Sequence, residues 1–393
     1  MVDNNINKYK RCFKNLKVTN DVLEKVASTL SNKDLSWPFG VTKEFEEKIC
    51  KFLKVKYALA HCNGTSAMYS AMFAAGVEKN TEVICPTYTF WASIAPAINL
   101  GAKVVFCDIN KNDLLINVDN VDKFITNKTK AIVVPHLWGR LGNVDKLKKI
   151  CNKYGHKIFI IEDTSHSFGA TYKNKFLGTL GDIGIYSLQA GKTLTAGEGG
   201  LLVTNDFKIY DSSVYLGHYE RIKFLTGTRY SEYSKTGGGY KFRIHPLAAA
   251  LAISQLSLIK RKLHKLNMLM SYYESRLKQI PHVQTFEVPY EHFAYGGRFG
   301  LRVGVNINPE EKHKFIKECN LNGLQVEDEY LSLLHLEKFF MENNSQNIGI
   351  ELFKETQILQ KRLISLPIFY EGNNATIDAY IEDFKRILKR YTI

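Results

Sequence analysis

Between Tyr57 and Asp163 the chain alternates short apolar runs with segments of helical periodicity, and this alternation limits the fold more than any other feature. Runs at 57–61, 82–85, 103–107, 130–135 and 157–161 are apolar at nearly every position, not at every second one. A strand with no polar face is buried on both sides, which suits a mostly parallel sheet covered by helices above and below. Helical stretches at 67–75, 91–100 and 144–154 supply the cover, so the expected class is α/β. In such sheets ligands bind beyond the carboxyl ends of the strands. The polar motifs fall there: Asn63-Gly-Thr-Ser66, Pro86-Thr-Tyr-Thr-Phe90, Pro135-His-Leu-Trp-Gly139 and Glu162-Asp-Thr-Ser-His166.

Two further apolar runs, 183–188 and 200–204, enclose Ser187-Leu-Gln-Ala-Gly-Lys192-Thr-Leu-Thr-Ala-Gly-Glu-Gly-Gly200. Lys192 thus lies between two expected buried strands. A desolvated amine loses its proton readily and becomes a nucleophile toward carbonyl carbon, the chemistry of a Schiff base with pyridoxal phosphate. A solvated lysine on a β-hairpin is the plainer alternative. Asp163, at a strand end, is suited to hold a pyridine nitrogen protonated; it is equally suited to cap a helix or to pair with Glu162 on a metal. Gly64-Thr-Ser66, between strand and helix, offers N–H groups and hydroxyls to a phosphate. Phe90 is placed to stack on a planar ring or to pack in the core, and His166 to bond a ring hydroxyl or to serve structure alone.

From Pro246 the alternation stops. One long helix is expected over 247–277, then strands at 283–288 and 301–306 and helices at 310–319 and 379–389. Before the alternation, 21–30 and 42–53 read as amphipathic helices around a turn at Ser36-Trp-Pro-Phe-Gly40. The expected division is a large cofactor-binding domain over 1–255, whose first helices pack on the smaller domain, and a small α+β domain over 256–393. Across the 393 residues no apolar run approaches the roughly 18 that a membrane helix needs. The start of the chain lacks an apolar segment behind a basic one, so a cytoplasmic location is expected. Seven cysteines without Cys-x-x-Cys spacing suggest reduced, mostly buried thiols and no zinc. The net charge of +14 fits a lysine-rich surface or the steering of anionic substrates. Nucleic acid is disfavoured, since only Lys260-Arg-Lys-Leu-His-Lys265 comes near a cluster.

The order of these motifs resembles that of the sugar aminotransferases of the DegT/DnrJ/EryC/StrS group, within the aspartate-aminotransferase-like, fold-type I pyridoxal phosphate enzymes. The resemblance runs from about Gly40 to Ile393 and is strongest at Asn63–Ala67, Pro86–Phe90, Ile161–Asp163, Gly181–Gly184 and Lys192 with Gly197–Gly200. It implies that Lys192 carries the cofactor and shuttles a proton, that Asp163 holds the pyridinium nitrogen, and that Phe90 stacks on the ring. His166 falls near the phenolic oxygen. Thr65, Ser66 and Ser187 match phosphate ligands, with Gly64 and Gln189 beside them at the cofactor. The resemblance further implies a homodimer with shared sites. One departure stands out. A Gly-Tyr-Asn-x-Arg segment, whose Asn reaches the phosphate across the dimer, reads Gly239-Tyr-Lys241-Phe-Arg243 here. Lys241 is able to pair with the phosphate as a charge, or to face an anionic substrate.

The expected activity is transfer of an amine from glutamate or glutamine to a ketone, usually a nucleotide-linked keto-sugar. A keto-cyclitol or small phosphorylated ketone stays open as acceptor. A sugar dehydratase on this scaffold carries His in place of the cofactor lysine, and a binding protein is expected to have lost Lys192 or Asp163; both are present.

Overall fold

The computed structural model describes residues 8–13, 18–31, 35, 39–286, 291–344 and 353–392. In chain order the first nine strands are β1 (Tyr57–His61), β2 (Glu82–Pro86), β3 (Lys103–Cys107), β4 (Thr129–Pro135), β5 (Phe159–Asp163), β6 (Thr171–Tyr172), β7 (Lys175–Phe176), β8 (Ile183–Ser187) and β9 (Gly200–Thr204). Seven of them form one sheet in the order β1-β9-β8-β5-β4-β2-β3. Strands β3, β2, β4, β5 and β8 are mutually parallel, whereas β9 runs antiparallel to both β8 and β1. The reversal of β9 has a simple cause. A parallel crossover needs a helix or a comparably long connection, and the segment between β8 and β9 contains no helix.

Both faces of this sheet are covered, as the unbroken apolar runs require. Val83, Cys85, Val104, Phe106, Ala131 and Val133 pack with Ala67, Met68 and Ala71 of the Gly64–Ala74 helix. Their chain neighbours Ile84, Val105, Ile132 and Val134 pack with Leu147 and Ile150 of the Val144–Cys151 helix on the other face. Alternate residues thus feed two separate cores, which is why these runs are apolar at successive positions.

The expected helix over 91–100 is a 3-10 turn, Trp91–Ser93, followed by a separate helix, Ala95–Asn99. Pro96 stands in the first turn of that second helix, where its missing N–H costs no helical bond. The expected single helix over 247–277 is also two, Pro246–Ser257 and Ile259–Leu277. At Leu258 the N–H bonds three residues back, to the Gln255 carbonyl at 3.2 Å, and the two pieces serve different cores. The first packs Ala249, Ala252 and Ile253 against Phe45 and Ile49; the second packs Leu266, Met270 and Tyr273 against a second sheet.

That second sheet is four-stranded, from β10 (Val283–Thr285), β12 (Leu301–Val305), β13 (Glu327–Asp328) and β14 (Leu363–Leu366), in the order β10-β12-β14-β13. Strand β11 (Phe293–Ala294) pairs instead with β6, next to β7, in a three-stranded ribbon that ties the later part of the chain to the earlier. The expected strand at 283–288 is described only as β10, since residues 287–290 lie outside the described residues, as do Ser36–Pro38 of the expected turn. Tyr9 is buried in the core around β12 and β14, and the Cys12 carbonyl accepts the Tyr370 N–H at 2.8 Å. The Asn20–Ser31 and Val41–Leu53 helices rest on the Pro246–Ser257 helix instead. None of the described helices is long and apolar enough to cross a membrane.

Candidate active site

A cleft of about 470 Å³ opens where β1, β2, β4, β5 and β8 end and β9 begins. Gly64, Thr65, Phe90, Asp163, His166, Ser187, Gln189 and Lys192, all singled out from sequence, line it. The antiparallel β8–β9 pair sets Lys192 in a loop that both strands anchor, with the Lys192 N–H bonded to the Gln189 carbonyl at 2.9 Å. The side chain is turned into the cleft, where burial lowers the Lys192 pKa to about 8 against the opposing pull of Asp163. Its Nζ lies 3.6 Å from the centre of the Phe299 ring. The hairpin pairing expected of a plain surface turn is therefore real, but its lysine is desolvated.

One further residue holds this loop from outside. Lys262, on the Ile259–Leu277 helix, donates from Nζ to the Thr193 carbonyl at 2.7 Å, and burial lowers its pKa to about 8. Lys265 pairs with Glu371. The basic run 260–265 is thus partly spent inside the fold and is not a continuous surface patch.

Alternation along β5 separates its two last carboxylates. Glu162 is fully buried and accepts the N–H groups of Gly178 (2.9 Å), Leu180 (2.7 Å) and Gly181 (2.5 Å). It also accepts from His136 Nε2 at 2.8 Å; the His136 Nδ1 accepts the Gly142 N–H, so the ring proton sits on Nε2. Asp163 faces the opposite way, into the cleft, which disposes of a Glu162–Asp163 metal pair. Its Oδ2 accepts from Ser93 at 2.6 Å and its Oδ1 from the Ser165 N–H at 3.1 Å.

At the other end of the cleft the Gly64–Ala74 helix begins. Asn63 caps it by accepting the Ser66 N–H at 2.8 Å, and the Ala67 N–H bonds to the Asn63 carbonyl. The first-turn N–H groups of Gly64 and Thr65 remain for an anion. A side chain at Gly64 would press within 3.2 Å of Ser187 Cβ, and one at Gly200 would drive into the Asn63 carbonyl, so both glycines are needed for β8 and β9 to close on this turn. Ser66 is placed differently from expectation. Its hydroxyl donates to the Asn63 carbonyl at 2.9 Å and accepts the Asn63 N–H at 3.4 Å, the latter completing a capping box, and it is not part of the cleft lining. Lys241 also lies outside the lining, exposed on the surface of the single chain.

His166 is buried between the rings of Trp138 (4.8 Å) and Phe299 (4.7 Å). Burial, with the charges of Lys192 and Arg302, holds its pKa well below the ordinary histidine value, so the ring is neutral. Among the described residues its Nδ1 has no hydrogen-bond partner. Phe90 and Trp91 present exposed rings 5.2 Å apart. Sequence reasoning did not single out Ser93 or Trp91, and it named Trp138 and Glu198 only as members of longer motifs. Trp91 and Ser93 had a usable signal, since they follow directly on a strand-end motif.

An amine of lowered pKa, a carboxylate, an unpartnered neutral imidazole nitrogen and a helix N-terminus around one cleft fit pyridoxal 5′-phosphate: its aldehyde, ring nitrogen, phenolic oxygen and phosphate each find a suited group. On this fold such a site defines the aspartate-aminotransferase-like class of pyridoxal phosphate proteins. Within that class the chain belongs to the DegT/DnrJ/EryC1/StrS aminotransferase family, whose model matches residues 17–385.

Among its relatives is GDP-perosamine synthase of Vibrio cholerae, 33% identical over 237 residues, which are 60% of this chain and 62% of that protein. The chain therefore spans less than two thirds of that relative. The spore coat polysaccharide biosynthesis protein SpsC of Bacillus subtilis is 28% identical over 379 residues, 93% of this chain and 94% of that one. In fold the chain is similar to the PLP form of a putative sugar aminotransferase of Streptococcus pneumoniae, with a TM-score of 0.85 at 22% identity, covering 96% of this chain and 98% of that one.

Proposed function

We propose that the protein transfers an amino group from glutamate or glutamine to a nucleotide-linked keto-sugar, in the making of surface polysaccharide or of a secondary-metabolite sugar. The single observation that carries this reading is Lys192, an amine of lowered pKa facing the Asp163 carboxylate across one cleft. Names of relatives that act on activated sugars, such as GDP-perosamine synthase, support the sugar as acceptor. Bound pyridoxal phosphate supplies an electron sink for the carbanion formed when a substrate carbon loses its proton.

The chain's own residues do the rest. Lys192 takes up the cofactor and then, as a free amine, moves the proton. Asp163 keeps the ring nitrogen protonated. Gly64 and Thr65 N–H groups, with the Ser187 hydroxyl, would hold the phosphate, Phe90 would serve the ring and His166 its phenolic oxygen. We further propose division into a cofactor-binding part, 1–255, and a smaller part, 256–393. In a homodimer, Lys241 would complete the neighbour's phosphate site. A keto-cyclitol is the second reading of the acceptor, supported by a relative named as a putative aminotransferase acting on an amino-inosose.

The test is direct. Borohydride reduction of the cofactor-loaded protein should fix the cofactor to the peptide containing Lys192, and a panel of keto-sugars with labelled glutamate should yield one labelled amino sugar. Recovery on another lysine would sink the assignment. Asp163→Asn should still bind cofactor but lose more than about 100-fold in turnover, roughly 2.7 kcal/mol of transition-state stabilisation.

A further inference from the structure

Asp163 does not stand alone in the cleft. Ser93 is 2% exposed, and its hydroxyl donates to Asp163 Oδ2 at 2.6 Å, a short charge-assisted bond. A hydroxyl has one proton, so with that proton on Asp163 the contact between Thr89 Oγ1 and Ser93 Oγ at 3.2 Å is one in which Thr89 donates. Thr89 is itself buried, at 1% exposure. The Ser165 N–H takes the other carboxylate oxygen at 3.1 Å. Each oxygen of Asp163 is therefore gripped by one protein donor, and each keeps a lone pair for the cleft.

The backbone makes Ser93 stiff. It ends the 3-10 turn Trp91–Ser93, its N–H bonded to the Phe90 carbonyl at 3.0 Å, and a new helix starts at Ala95 just beyond, with Pro96 in its first turn. One tight turn thus presents both the Phe90 ring and the hydroxyl that orients Asp163. A carboxylate free to rotate about its last torsion would spread its bond to a ring nitrogen over many directions. One clamped at both oxygens holds a single direction.

We propose that Ser93, backed by Thr89, is a positioning residue that fixes the Asp163 carboxylate in the orientation in which it grips the cofactor's ring nitrogen. The inference rests on the reading of Asp163 given above. Its test is a double-mutant cycle on the cofactor-loaded protein with Ser93→Ala, Asp163→Asn and the double variant, reading turnover, cofactor affinity and visible-region circular dichroism of the bound cofactor. Ser93→Ala should lower turnover about tenfold and alter the dichroism, with the cofactor still trapped on Lys192. In the Asp163→Asn background the same change should do nothing more, because a residue acting through Asp163 has nothing left to position.

Thr89→Val, which removes Ser93's own donor, should give a smaller loss, about threefold, that also vanishes in that background. It serves as the second probe should Ser93→Ala fold poorly. Full turnover and unchanged dichroism in Ser93→Ala, beside a crippled Asp163→Asn, would overturn the role of Ser93 and leave that of Asp163 standing. A further loss in the double variant would overturn it too, by showing that Ser93 acts elsewhere. Full turnover in Asp163→Asn alone would remove the reading of Asp163 and this inference with it.

Discussion

The chemistry of a single lysine sets the first expectation. An amine attacks an aldehyde only when neutral, and with a pKa of about 8 roughly a tenth of Lys192 is neutral at pH 7. At the ordinary lysine value the fraction would be some 300-fold smaller. Loading of the cofactor-free protein should therefore quicken about tenfold per pH unit below pH 8 and level off above it, followed by the visible absorbance of the lysine-bound cofactor. The same shift bears on stability, and its sign follows from proton counts. Between about pH 8 and 10.5 the unfolded chain binds more protons at this site than the folded one, so cofactor-free protein gains stability as pH rises through that window. Lys192→Met should reduce this rise, leaving the part that Lys262, also lowered to about 8, contributes over the same window, and comparing urea midpoints of the two proteins at pH 7 and pH 10 checks it.

At the scale of elements, what matters is how strands β5, β8 and β9 are pinned at their cleft ends. Glu162, itself fully buried, gathers three backbone N–H groups from the 178–181 turn and one from His136. Glu162→Gln would set an amide donor against one or more of these donors. A loss on the order of 3 kcal/mol in unfolding free energy is expected, seen as a lower denaturant midpoint. Gly200→Ala should act on the site more than on the fold, since its methyl would push β9 away from Asn63 and spoil the Gly64–Thr65 turn. Cofactor affinity should fall at least tenfold by fluorescence titration, with the melting temperature changed far less.

These elements also show what could be read in advance. The seven strands of the large sheet were legible because runs such as Val83–Cys85 feed two cores at once and leave an unmistakable apolar pattern. The Lys192, Asp163 and Gly64 positions followed from where those runs end. What the sequence hid was decided by contacts without a period. The break at Leu258 reflects a change of core, and Ser66 was claimed by Asn63, a choice between two acceptors that no spacing reveals. Ser93 was hidden inside an expected helix that Pro96 divides.

For the whole molecule, the cleft lining of one chain contains a single cationic side chain among the described residues, Lys192, and in the proposed function that group is consumed in binding the cofactor. A phosphate and an anionic acceptor call for more positive charge than this, and the exposed Lys241 of a second copy is the proposed source. Mixing a Lys192→Ala chain with a Lys241→Ala chain tests it, since a mixed dimer then rebuilds one site with both lysines. Activity should return on mixing, in proportion to mixed dimers counted by native mass spectrometry. Confirmed mixed dimers without any gain would mean that Lys241 serves its own chain or none.

The bond from Lys262 to the Thr193 carbonyl has a consequence for covalent labelling. Acylating reagents at mildly alkaline pH select amines by their neutral fraction, and two lysines here, Lys192 and Lys262, have pKa values pushed down to about 8. One opens to the cleft while the other is occupied behind it, holding the loop that carries the first. A brief exposure to a small acyl donor should therefore modify Lys192 well ahead of the surface lysines, and bound cofactor should shield it. Lys262 should react only as that loop loosens, which makes its acylation rate a clock for the opening of the Lys192 loop, readable by peptide mass mapping.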